Sequence, residues 1–204
     1  GARLGHCLFY EPYHYLSHPL EIFKIWQGGL ASHGAALGIL LALYLFSRKN
    51  KYSWLWTVDR VVIGVALAAA LVRLGNLMNS EIIGRPTDLP WAVTFMRVDT
   101  LPRHPTQIYV LLGYLLIFAL VFRTYEKYHE KTPRGLLTGL FFITAFPVRF
   151  FLEFFKENQV PFEKGMAFNM GQILSLPGFL FGLFLLVRAL RSSKTIHSAL
   201  KTKT

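Results

Sequence analysis

Five runs along the chain, 29–46, 54–78, 106–122, 135–155 and 169–187, are almost continuously apolar. Each approaches the roughly 20 residues that a helix needs to cross a bilayer. They are too long and too evenly apolar for strands, and in lipid only helices or closed barrels satisfy every backbone polar group. A sixth apolar stretch, 1–10, is too short to span. It has no charged leading region and no cleavage site, so it does not read as a signal peptide. It predicts part of a helix whose remainder lies upstream. Between these runs lie a polar and aromatic connection at 11–28 and a long insert at 79–105 carrying Pro86, Pro90, Pro102 and Pro105. A charged loop follows at 156–168, and a basic tail at 189–204. The predicted fold class is all-α: one polytopic integral membrane helical bundle over 1–204, with five full spans and one partial span.

Composition agrees. Charged residues make up 16% of the chain, against about 25% in soluble domains. Mean hydropathy is +0.38. The net charge of +11 raises nucleic acid as a partner, but the distribution of Lys and Arg excludes it. Connections 48–54, 123–134 and the tail from 188 hold three, four and five of them; connections 11–28, 79–105 and 156–168 hold one, three and two. The positive-inside rule puts the first set in the cytoplasm, so the tail ends inside and the long insert faces out. The single cysteine, Cys7, excludes an internal disulfide and reads as packing.

Charged side chains inside spans are costly and usually mark function. Arg73 and Asn76 stand at i and i+3, on one helix face, and Ser80 continues that face. Arg149 and Glu153 stand at i and i+4 on another. Both runs travel outward, so both polar faces arrive in the outer third. His33 lies about one turn into the run that begins at 29. The segments starting Arg103-His104-Pro-Thr-Gln107-Ile-Tyr109 and Asn169-Met-Gly-Gln172 open on the same side. Five segments therefore set polar residues in one layer. Arg suits a phosphate because its planar fork makes two parallel hydrogen bonds and stays charged. Alternatives stay open on spacing alone. Arg149–Glu153 also reads as a structural ion pair, Arg73 as a snorkelling helix-end residue, and His33 as a packing histidine. The glycines beside His33 make room either for a ligand or for a neighbouring helix.

At these residues the chain resembles the prolipoprotein diacylglyceryl transferase family. The segment from Arg73 to Arg85 is similar to the family's signature, and 29–38 to its His-Gly segment. Arg103 to Tyr109, Arg149 to Phe155 and Gly171-Gln-Ile-Leu-Ser-Leu-Pro177 match in order and spacing. The resemblance covers about residues 1–190 and implies seven spans in the complete protein. It also implies a bacterial inner-membrane location and an active site open to the outer leaflet. The implied reaction moves a diacylglyceryl group from phosphatidylglycerol to the lipobox cysteine of a prelipoprotein signal peptide, forming a thioether and releasing glycerol phosphate. The motif match assigns catalysis to His33, Arg73 and Arg149. It assigns substrate binding to Arg73, Asn76, Glu81, Gly84, Arg149, Glu153, His104 and Gln107. No cofactor or metal is implied. Ala35 and Ser80 stand where the family often has Gly, a difference expected to matter little; Lys156 replaces a frequent Arg, and Val110 a frequent acid. A functional tyrosine of the family's first span has no counterpart in this chain.

The chemistry fits those residues. A free thiol near pKa 8.5 is mostly protonated at neutral pH, and a neutral His33 can accept that proton. An anion transporter or channel is the main competing class. It favours midplane sites and inverted repeats, and no repeat is visible. An intramembrane protease needs a paired aspartate or a Ser–His arrangement, and Asp59 has no aspartate partner in a neighbouring run.

Overall fold

The computed structural model describes residues 1–157 and 168–201, with side chains except at 32 and 193–201. The middle of the charged loop, 158–167, and the tail end, 202–204, lie outside the described residues. The chain falls into two compact units, Gly1–Thr57 and Val58–Thr204.

In the first unit α1 (Ala2–Phe9) packs on α3 (Ser32–Lys49). The contact is made by glycines spaced four apart on both helices. A Cβ on Gly5 would sit 2.8 Å from the Gly34 Cα, and one on Gly38 would sit 3.2 Å from the Gly1 Cα. This is the small-residue packing by which helices associate in lipid, where backbones must approach closely to gain dispersion energy. The glycines beside His33 thus serve helix packing. The connection 11–28 is partly helical, with α2 (Pro12–Ser17) and two 3-10 turns, Pro19–Phe23 and Ile25–Gln27. Arg3 ties it down. Its guanidinium donates to the carbonyls of Glu21 (2.7 Å), Ile22 (3.1 Å) and Gly28 (2.6 Å) and lies 5.0 Å from the Tyr15 ring centre. Its charge is therefore absorbed by backbone dipoles. Cys7 is buried.

The second unit takes in most of α4 (Trp54–Asn79), with α5 (Thr106–Tyr128), α6 (Leu136–Leu152), a short α7 (Met170–Ile173) and α8 (Ser175–Lys201). Val62 and Ala66 of α4, Ile117 and Val121 of α5, and Leu137, Phe141 and Ala145 of α6 form its core. Leu112, Leu116 and Leu120 point the other way on α5, each exposed, as the i, i+4, i+8 stripe of a lipid-facing helix must. The closest crossing joins α6 to α8. A Cβ on Gly139 would lie 2.7 Å from the Leu186 nitrogen, and one on Gly182 2.5 Å from the Phe142 Cβ. The small residues of α4 were the expected packing surface; Ala66 and Ala70 are buried, but Gly64 faces open space.

Asp59, fully buried, caps α6 from α4. Its carboxylate accepts from the backbone N–H of Gly135 (2.6 Å) and of Thr138 (2.9 Å) and from the Thr138 hydroxyl (2.7 Å). Helix α6 has no capping side chain of its own, so this carboxylate satisfies first-turn donors and meets the positive end of the helix dipole.

Several expected boundaries move. Helix α5 continues to Tyr128, so Arg123 and Lys127 ride on it and not in a loop. Helix α8 continues to Lys201, so most of the expected tail is helical. Four helical stretches among the described residues are long and apolar enough to cross a membrane: Trp54–Asn79, Thr106–Lys131, Leu136–Phe155 and Met170–Ser192. Five were expected. Helix α3 falls outside this set because its 18 residues include Ser32, His33, Arg48 and Lys49 at the ends. The insert carries one short antiparallel pair, β1 (Val93–Thr94) with β2 (Pro102–Arg103).

Candidate functional site

Helix α4 ends at Asn79 with the chain turning left-handed. The Ser80 N–H donates to the Leu77 carbonyl and the Glu81 N–H to the Asn76 carbonyl, a Schellman closure with Ser80 at φ 58°. Ser80 therefore does not continue the helical face of Arg73 and Asn76, as expected from spacing. Ile82 is also left-handed, at φ 54°, which a β-branched residue adopts only under constraint. The constraint comes from α5. Gln107 donates its Nε2 to the Glu81 carbonyl (2.7 Å) and Thr106 donates its hydroxyl to the Ile82 carbonyl (3.0 Å), both from buried positions.

This turn, α4, α5 and the end of α6 enclose a cavity of about 200 Å³ lined by Arg73, Ile82, Val110, Tyr114, Arg149, Glu153 and Lys156. Arg73 is half-buried; its Nη1 donates to Asn76 Oδ1 (3.0 Å), and Asn76 Nδ2 donates in turn to Glu81 Oε2 (2.8 Å). The Arg73 Nε is buried without a partner among the described residues. Arg149 makes no hydrogen bond or ion pair among them. The expected Arg149–Glu153 pair does not form. Helix α6 gives way to a 3-10 turn at Glu153–Phe155, and Glu153 instead accepts from Lys156 Nζ at 2.8 Å, both side chains nearly buried. The Glu153 backbone N–H still reaches the Arg149 carbonyl, so the i, i+4 relation holds in the backbone, but the 3-10 turn that follows brings Lys156 to the carboxylate.

The remaining expected site residues stand around this cavity or apart from it. Gly84 is a close-approach position: a Cβ there would lie 2.6 Å from the His104 Cβ and 2.9 Å from Thr106 Cγ2. His104 packs against the rings of Tyr109 and Phe155, its Nδ1 3.3 Å from the Tyr109 hydroxyl. Gln107 faces the Glu81 backbone. These three shape the frame and do not line the cavity. His33 belongs to the first unit. It is exposed at an apolar cavity of about 580 Å³, beside Leu4, Leu8, Phe9, Leu37 and Leu41.

Spacing did not single out Tyr114 or Ile82. Gln107, Val110 and Tyr114 do follow i, i+3, i+7 on one face of α5, which was a readable signal for Tyr114. The left-handed turn that brings Ile82 inward had none. Nor did the strap that holds the insert to the end of α6. Arg103, 5% exposed, donates to both Asp99 oxygens (2.5–3.2 Å), to the Gly84 carbonyl (3.0 Å) and to Glu157 (2.8 Å). Its guanidinium holds the Asp99 carboxyl below the usual range, and the two acids hold Arg103 above its own. Isolated bridges Gly84↔Lys156 and Pro86↔Arg103 run alongside it. Lys156 is thus set by the insert as well as by α6.

Arg73 and Arg149 line one cavity, and the Arg73 Nε there is unpaired among the described residues, an arrangement able to hold an anion. The family model of prolipoprotein diacylglyceryl transferase matches residues 1–188. The chain belongs to the prolipoprotein diacylglyceryl transferase family. The phosphatidylglycerol–prolipoprotein diacylglyceryl transferase of Chloroherpeton thalassium is 49% identical over 195 residues, covering 95% of this chain and 73% of the relative. That of Tolumonas auensis is 48% identical, covering 92% and 72%, and that of Porphyromonas gingivalis 45% identical, covering 96% and 74%. Like other members of the prolipoprotein diacylglyceryl transferase family, this chain is a multi-pass membrane protein, with its arginine cavity on one side of the helix ends.

Proposed function

We propose that this transferase grips the phosphate of phosphatidylglycerol between Arg73 and Arg149 while a prelipoprotein's lipobox thiol takes the diacylglyceryl group. One observation carries the reading. Both guanidiniums line the same cavity, and its carboxylate, Glu153, is already neutralised by Lys156. Among the described residues nothing occupies the Arg149 fork, and Arg73 keeps part of its own for a ligand.

In the proposed reaction the lipobox sulfur attacks the glyceryl carbon. A carbon–sulfur bond forms, the carbon–oxygen bond to phosphate breaks, and the bonding pair leaves with glycerol phosphate. The thiol proton passes to His33, acting as general base. Arg73 and Arg149 stabilise the negative charge that grows on the leaving phosphate with donors already in place. Asn76 and Glu81 fix the Arg73 head through their hydrogen-bonded chain. Gln107, Gly84 and His104 act through the frame, by holding the 81–84 turn against α5. The protein works in the bacterial inner membrane, its arginine cavity toward the outer leaflet and its C-terminus in the cytoplasm; the Lys and Arg bias of the connections supports this orientation.

The test is incubation of the chain in lipid nanodiscs with phosphatidylglycerol and a lipobox peptide, followed by mass measurement of the peptide cysteine. A diacylglyceryl mass gain is expected, lost in Arg73→Ala and Arg149→Ala and strongly reduced in His33→Gln. Full transfer by Arg73→Lys and Arg149→Lys together would eliminate the two-arginine grip, because Lys offers a point charge and no fork.

A further inference from the structure

We infer that the arginine cavity selects a phosphate dianion over a monoanion, so that glycerol phosphate, the released phosphomonoester, binds there more tightly than the phosphodiester headgroup does. This rests on the reading of the cavity as the headgroup site and adds the charge state that it recognises.

The groups facing the cavity are Arg73 from α4, Tyr114 from α5, and Arg149, Glu153 and Lys156 from α6 and the turn after it. Three cations and one carboxylate leave an excess of two positive charges. Of the other charges nearby, Glu81, bonded to Asn76, and Arg85, whose Nε donates to the Lys156 carbonyl (2.9 Å), are of opposite sign and offset each other, and Arg103 is matched by Asp99 and Glu157. A phosphodiester brings one negative charge and leaves one positive charge unmatched. A phosphomonoester, with a second pKa near 6, brings almost two at neutral pH. Glu153 and Lys156 are nearly buried, Arg73 is half-buried and Arg149 is exposed, so water screens part of an unmatched charge, and the dianion is the better-matched ligand for what remains.

Donor geometry and size agree. Arg149 has no partner among the described residues, and the Arg73 Nε is unpaired. A monoester's three terminal oxygens can engage both forks, where a diester offers two. The volume of about 200 Å³ is below the roughly 300–1,000 Å³ of pockets for drug-sized ligands, so the cavity suits a headgroup phosphate and not acyl chains. The same match serves turnover. The leaving group gains its second negative charge as the carbon–oxygen bond breaks, so the cavity binds the transition state better than the intact lipid. The consequence is inhibition by product, relieved only when glycerol phosphate leaves.

The deciding measurement is titration calorimetry of the full chain in detergent with glycerol phosphate and with its methyl phosphodiester, at pH 5 and pH 8. Glycerol phosphate binding is expected to tighten about tenfold from pH 5 to pH 8, following its dianion fraction, while the diester changes little and is the weaker ligand at pH 8. Glu153→Gln, nearly isosteric, removes the one negative charge and is expected to tighten the monoester further. Lys156→Gln is expected to erase the monoester preference. Equal binding of monoester and diester at pH 8, or no tightening in Glu153→Gln, overturns the inference. If that happens while the nanodisc assay still shows transfer, the headgroup reading survives and only the charge selection fails. If the preference holds but no transfer occurs, the cavity is a phosphomonoester site and the proposed function fails.

Discussion

Asp59 and Arg73 stand fourteen residues apart on α4, and Gly135 and Arg149 stand the same fourteen apart at α6. Because Asp59 meets the start of α6 and Arg73 shares a cavity with its end, the two helices run in parallel, and about 21 Å separates the two polar sites. The sites treat charge in opposite ways. The Asp59 carboxylate is fully buried and accepts three hydrogen bonds from α6. The Arg73–Arg149 end leaves the Arg73 Nε unpaired among the described residues and sets its acid against a lysine. A buried charge without partners is expensive; Asp59 is fully buried, whereas Arg73 is half-buried and Arg149 exposed, so water carries part of their charge. The Asp59 end is completed by the protein itself and belongs to stability. On the proposed function, the arginine end is the one that an anion completes.

Substitutions at the two ends should therefore separate activity from stability. The largest effect is expected at the open end: Arg149→Ala and Arg73→Ala each slow transfer by about 10²–10³-fold, the usual cost of one preorganised donor at a developing anion. Their thermal midpoints in detergent should stay near that of the parent chain. A large fall in midpoint for both would make the arginines structural and break the contrast. Next comes Asp59→Ala, which removes a cap and strands the donors of Gly135 and Thr138, for a loss of about 2 kcal/mol in unfolding free energy. The turnover of its folded fraction should equal that of the parent.

A smaller effect concerns pH. Hydrogen bonding to Arg103 lowers the Asp99 carboxyl below its ordinary value. That contribution is complete above the unfolded carboxyl's pKa and is lost as pH falls through the folded value. Arg103 is shifted upward, so its share fades only in strong alkali. Acid alone should loosen the insert. Hydrogen exchange over 99–105, corrected for intrinsic rates, is expected to quicken in acid, and Asp99→Asn should flatten that dependence. The smallest change is Ser80→Gly. Ser80 occupies the left-handed position that closes α4, where Gly carries no steric penalty, so a gain of about 0.5–1 kcal/mol is expected. Denaturant unfolding would show it. A loss would mean that the Ser80 hydroxyl, not its backbone, matters at the open end.

Ser80 also illustrates how far spacing reaches. Its substitution for Gly was expected to matter little, and continuing the Arg73 face seemed natural for a residue one turn on. The left-handed closure at Ser80 and Glu81 shows instead that the helix has already ended. Arg149 and Glu153 repeat the lesson. Their i, i+4 spacing is real, but α6 tightens at Glu153, and the carboxylate goes to Lys156. The Arg73–Asn76 bond, by contrast, lies wholly within α4 and was legible from i, i+3 spacing. Asp59 was noticed only for lacking an aspartate partner, since its true partners, Gly135 and Thr138, lie on another helix.

Residue order alone sufficed for the all-helical class, the membrane character, the family and the Arg73–Asn76 neighbours, because hydrophobic runs and i, i+3 neighbours are properties of a few consecutive residues. Packing alone chose which acid pairs with which base, which glycines meet, and which donors stay unpaired. Those outcomes depend on where separate segments end and meet, and hydrogen-bond competition among them is settled at distances of an ångström or less. The Arg149 guanidinium, without a hydrogen bond or ion pair among the described residues, is such an outcome: a turn after Leu152 brought Lys156 to Glu153.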